Sequence, residues 1–170
     1  MLVAVVACCV LAGCGGADKV APVPKGEHRV DLAGGTATTP DGWDKITDAN
    51  LQLVEGAPDA ALRRRDGTAI LSVRRGDEQP AAIGEQQAKL LRELRPRVPD
   101  LQGLRATEVR TAAGLARSFT VLRGGPTGLA RVVTIPDGDR SYILELAITS
   151  TQGTAAKEAG RIIRSFATGG

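Results

Sequence analysis

The chain has 170 residues, 42% hydrophobic and 24% charged, which fits one compact domain with a tail. Its net charge is +3, from 22 basic and 19 acidic residues, and aromatics make up only 2%, so the clustered basic face and stacking rings of a nucleic-acid binder are missing. Cys8, Cys9 and Cys14 are the only cysteines and all precede residue 15, which excludes a disulfide framework or cysteine zinc site in the folded part. The single histidine, His28, reads as a surface residue.

Residues 2–12 are apolar throughout, like the central region of a secretory signal, and too few to span a bilayer, which takes about 20. Gly15-Gly16 then breaks any helix. Leu11-Ala12-Gly13-Cys14 resembles the lipobox of bacterial lipoproteins: a branched apolar residue, two small residues, then cysteine. In that family the thiol accepts a diacylglyceryl group and the signal is cut just before it. The resemblance implies a signal peptide at 1–13, cleavage between Gly13 and Cys14, lipidation with palmitate-type chains at Cys14, and attachment to the outer face of the cytoplasmic membrane. Signals usually open with lysine or arginine and this one opens Met-Leu-Val-Ala, so the expected start lies upstream.

Residues 14–29 read as the lipidated cysteine and a flexible Gly/Pro-rich tether. A single domain is expected over 30–168. Short strands are predicted at 29–32, 36–39 and 51–54, and a stronger one at 69–74. Between the second and third, Pro40-Asp41-Gly42 turns the chain ahead of Trp43. Over residues 80–95 the period becomes helical, with Ile83, Gln87, Leu90, Leu91 and Leu94 on one face and Pro96 as the stop. A loop at 96–103 leads to three strands around 115–122, 129–135 and 141–148. Their tight turns make a meander, hence an antiparallel sheet. Ala155, Ala159, Ile162, Ile163 and Phe166 form the apolar stripe of a last helix, with Ser150 or Thr151 ahead of it and Gly169-Gly170 ending it. The fold class is α+β: a largely antiparallel, twisted sheet with two packed helices.

The early TPDGW (39–43), the mid-chain helix after AILSV, the meander carrying AGLARSFTV and YILELAIT, and the final IIRSF resemble the Mog1/PsbP-like fold. The chain is similar in particular to the actinobacterial LpqN-like lipoproteins, and its Arg-over-Lys, Ala- and Gly-rich composition suggests a GC-rich genome. The resemblance implies binding of partners rather than catalysis, though a fold alone supplies no activity.

The residues point the same way. No Gly-x-Ser-x-Gly elbow, His-Glu-x-x-His helix motif or Rossmann fingerprint occurs, and Gly124-Gly125-Pro126-Thr127-Gly128 lacks the Lys-Ser/Thr of a nucleotide loop. Trp43 and the basic run Arg63, Arg64 and Arg65 are the candidate partner or ligand surface, each with a plainer alternative: a core anchor for Trp43, a solvated strand edge or turn for the arginines. The expectation is a membrane-anchored, non-enzymatic binding or assembly protein. It needs no cofactor or metal, touches no nucleic acid, and has an unidentified protein partner. The alternative is a carrier of a small apolar or lipid-like molecule between sheet and helices.

Overall fold

The structure, a computed structural model, describes residues 22–47, 51, 53–124, 128–149 and 153–169. The expected signal peptide, the cleavage position at Gly13 and the lipidation position at Cys14 lie outside them, as do Ser150 and Thr151.

The described chain opens with a hairpin, β1 (Glu27–Leu32) and β2 (Gly35–Pro40), paired antiparallel across Ala33-Gly34. Both turn residues have positive φ, 61° and 84°, which supplies the twist a two-residue hairpin needs. The Asp31 carboxylate accepts the Gly34 N–H at 3.2 Å. Since β1 starts at Glu27, His28 and Arg29 belong to a strand and not to the tether.

Seven further strands make one antiparallel sheet: β3 (Trp43–Ile46), β4 (Ala60–Arg64), β5 (Ala69–Gly76), β6 (Leu101–Thr111), β7 (Gly114–Arg123), β8 (Leu129–Asp137) and β9 (Arg140–Ile148). Their spatial order is β3-β4-β5-β9-β8-β7-β6. Helix α1 (Ile83–Leu94) carries the chain from β5 to the far edge of the sheet. The meander β6 to β9 then returns until β9 pairs with β5, and α2 (Thr154–Ser165) follows. This is the expected α+β architecture.

Three strands, β3, β4 and β6, escaped the sequence pattern, and the strand predicted at 51–54 is absent. β6 lies at the sheet edge and carries Arg105, Glu108 and Arg110, charges that protect an edge and erase the apolar alternation. β4, Ala-Ala-Leu-Arg-Arg, is short and poor in β-branched residues, yet its first three residues are buried. The segment at 53–56 bends across the sheet instead of joining it.

Side chains alternate across the central strands, so each helix covers its own face. On the α2 face, Leu71, Val133, Tyr142 and Leu144 pack with Ile162 and Phe166. On the α1 face, Leu90 and Leu94 pack with Leu104, Phe119, Val121 and Val132. Leu115, which strand alternation places on the same face as Phe119, is 55% exposed near the β6–β7 turn.

Helix α2 stops at Ser165, four residues before Gly169. Phe166 leaves the helix in an extended conformation, and its ring meets Tyr142 edge-on at 5.1 Å. Ala167 then bridges to Thr36 through two backbone hydrogen bonds of 2.8 Å, which ties the hairpin to the body. Among the described residues no helix is long and apolar enough to cross a membrane.

Candidate functional site

Trp43 is buried, 1% exposed, and its indole N–H donates to Glu158 Oε2 of α2 at 2.9 Å. Arg64 Nε donates to the same oxygen at 2.9 Å, and Arg64 also reaches Thr154 Oγ1 at 3.0 Å and pairs with Asp66. Burial works to raise the Glu158 carboxyl, but the hydrogen bonds from Trp43 and Arg64 and the charges of Arg64 and Arg161 outweigh it and hold it below the usual carboxylate range. Trp43 thus locks α2 onto β3 and β4 and offers no surface to a partner.

The run Arg63, Arg64 and Arg65 is not one patch. Successive strand residues point to opposite faces, so Arg64 turns toward α2 while Arg63, opposite Asp44 in register, turns away. Arg65 sits in the turn beyond the strand and is paired with Asp44 at 3.0 Å.

An open cleft lies on the other face. Helix α1 packs along β6, and between it and parts of β5, β9 and β8 lies a cleft of about 500 Å³, a size typical of small-ligand sites. Arg74, Thr134, Ser141 and Ile143 make its floor, and Lys89 and Glu93 of α1 stand on its wall. Polar ties fix that wall: Gln86 donates to Thr134 Oγ1, Gln87 Nε2 donates to the Leu104 carbonyl at 3.1 Å, and Arg117 donates to the Ala81 carbonyl ahead of the helix. Ser141 Oγ donates to the Glu78 carbonyl at 2.9 Å on the opposite rim.

Glu145 secures the second rim. It is 3% exposed in mid-strand, and its Oε2 accepts the Leu53 N–H at 2.6 Å. Burial pushes its carboxyl up, with the N–H groups of Leu53 and Val54 and the charges of Arg74 and Arg97 pulling against it. The strap so held includes Gly56, at φ 105°, where a Cβ would stand 2.6 Å from Arg74 Nη1. Only a glycine lets the backbone lie directly on that guanidinium. The Arg74 Nε is buried there without a hydrogen-bond partner.

Sequence reading passed over Arg74, Glu145 and Glu158. Glu145 did carry a signal: in YILELAIT it shares its strand face with Ile143 and Ala147, while the other face is wholly apolar. A carboxylate in a strand apolar on both sides marks a buried acceptor.

No protein-family profile and no curated protein sequence matches the chain. Solved structures do. Cyanobacterial PsbP (CyanoP) from Synechocystis sp. PCC 6803 superposes with a TM-score of 0.60 at 13% identity, over 93% of this chain and 98% of that one. A point mutant of the protein Mog1 gives 0.50 at 14% identity, over 81% and 85%. LpqN of Mycobacterium tuberculosis, described as involved in cell envelope biogenesis, is more distant in shape: 0.38 at 16% identity, over 83% and 89%. The chain therefore has the Mog1/PsbP-like α+β fold.

Proposed function

We propose that the protein is a lipid-anchored extracytoplasmic accessory protein that binds a partner through the cleft between α1 and the sheet and performs no chemistry of its own. The lipobox at Leu11–Cys14 and the Gly/Pro-rich segment behind it support the location. The binding role is carried by one observation: a cleft whose walls are held by backbone and side-chain hydrogen bonds, and whose surface offers charged and polar groups of both signs. A rigid, mixed-charge cleft suits a polar occupant, such as a peptide segment of a partner protein. It does not suit the apolar or lipid-like molecule considered from sequence, since Glu78, Glu85, Lys89 and Glu93 line it.

Two measurements test this. Cys14→Ser should abolish acyl labelling and release the protein from the membrane fraction; persistence of both would remove the anchor. A photo-crosslinker at Lys89 in the intact cell envelope should capture one protein species by mass spectrometry, and the same group at the exposed Leu115 should not. Equal capture from both positions would overturn the cleft as the binding site.

A further inference from the structure

We propose that the outer side of α2, with the β1–β2 hairpin, is a docking surface for an anionic phospholipid membrane, and that the domain therefore lies on the bilayer with the α1 cleft turned away from it. The membrane attachment itself rests on the lipidation reading above.

The helix is two-sided. Ala155, Ala159, Ile162 and Ile163 are buried, whereas Lys157, Arg161 and Arg164 are exposed. Those three positions are spaced i, i+4 and i+7, so the cations form one stripe along the helix. Next to the stripe is a shallow pocket of about 520 Å³ that brings together Arg161 and Arg164 of α2, Glu27 and Arg29 of β1, and Pro22 and Pro24. Lys25, in the same segment, is exposed. The one carboxylate in the pocket, Glu27, is already engaged with Arg161 at 2.9 Å. Within the pocket Arg161 and Arg164, with Arg29 of β1, outnumber Glu27, and Lys25 and Lys157 extend the basic face beyond it, a local excess that complements phosphodiester headgroups.

Chain length gives the second, independent argument. Only eight peptide links join Cys14 to Pro22, a reach of at most about 28 Å when fully extended. Pro22 itself lines the basic pocket. With lipid on Cys14, this face is held within one short tether of the headgroups, where each cation contributes while it is inside a Debye length. The cleft lies on the α1 face of the sheet and α2 on the other. Docking through α2 leaves the cleft open to the aqueous side.

The test is co-sedimentation of the full chain carrying Cys14→Ser, so that no acyl group contributes, with vesicles of pure phosphatidylcholine and of phosphatidylcholine containing phosphatidylglycerol. Binding should be stronger to the anionic vesicles, should fall with added salt, and should drop about fivefold for each cation removed in Lys157→Gln and Arg164→Gln. Both side chains are exposed and leave the Glu27–Arg161 pair in place, so folding is preserved. Equal binding to the two vesicle types, or an anionic preference that survives the double variant, overturns the docking surface. So does soluble inorganic polyphosphate bound as tightly as the vesicles, which would make the patch a site for free anions. Loss of acyl labelling in Cys14→Ser is read separately, so a failed anchor and a failed docking surface give different results.

Discussion

The two faces of the sheet are built on different principles. The α2 face is a continuous apolar core, closed by the Tyr142–Phe166 ring pair and sealed at its rim by a solvent-screened Trp43–Glu158–Arg64 network. The α1 face has a smaller apolar cluster and gives the rest of its area to Arg74, Thr134 and Glu145, which are held by hydrogen bonds or stand beside an open cleft. One face stabilises the molecule, and the other gives up close packing to keep a recess with polar groups in fixed positions.

The comparison is broken most severely by emptying the α2 side. Phe166→Ala removes a fully buried ring that packs on Tyr142 and anchors the chain end to the hairpin. The expected loss is about 3–5 kcal/mol in denaturant unfolding. A loss below about 1 kcal/mol would show that this face is not the main source of stability.

Glu158→Ala comes next. It leaves the Trp43 N–H and Arg64 Nε without their acceptor and should cost roughly 1–3 kcal/mol. The pH dependence carries the sign. A carboxyl whose folded pKa lies below its unfolded value contributes stability above the unfolded value and loses it as pH falls through the folded one. The Glu158 carboxyl is held low, so the parent should lose this contribution in acid, and the variant's unfolding should be flatter with pH over that range.

Ala33 is a smaller lever on the same side. It is the one non-glycine residue at positive φ among the described residues, a conformation that costs an L-residue roughly 1–2 kcal/mol. Ala33→Gly relieves this but adds freedom to the unfolded chain, so the net gain should be under about 1 kcal/mol by thermal unfolding. A destabilised variant would mean that the Ala33 methyl contributes to packing in the hairpin.

How much of this was legible in the sequence follows the same division. The α2 face was readable because its residues repeat cleanly: Ala155 to Phe166 at helical spacing, and Tyr142, Leu144, Leu146 and Ile148 at alternate strand positions. The turn before Trp43 was readable from Asp-Gly. The site was not. Its cleft depends on α1 packing along β6, an edge strand whose charges hid it, and on a strap at 53–56 that looks like a strand but is held by a single carboxylate. The basic run at 63–65 misled because Arg63 and Arg64 point to opposite faces of β4 and Arg65 lies in the turn beyond it. The α2 stripe Lys157, Arg161 and Arg164 was visible in principle as the complement of the apolar one.

The smallest expected effect separates the two faces most sharply. Glu145 is the acidic counterpart of Glu158 across the sheet, but its carboxyl is pushed up because burial dominates over the Leu53 and Val54 N–H groups. A carboxyl whose folded pKa is raised favours its neutral form on folding, so ionisation weakens the fold as pH rises through the raised value. Glu145→Gln keeps an oxygen to accept the Leu53 N–H and removes the buried charge. The variant should match the parent in mild acid and become the more stable of the two toward pH 8, opposite in direction to the Glu158 effect. If unfolding instead shows the same loss at both pH values, the strap needs an ionised carboxylate. The charge of Arg74, already covered by Gly56 and short of one hydrogen bond, would then be what Glu145 is there to balance.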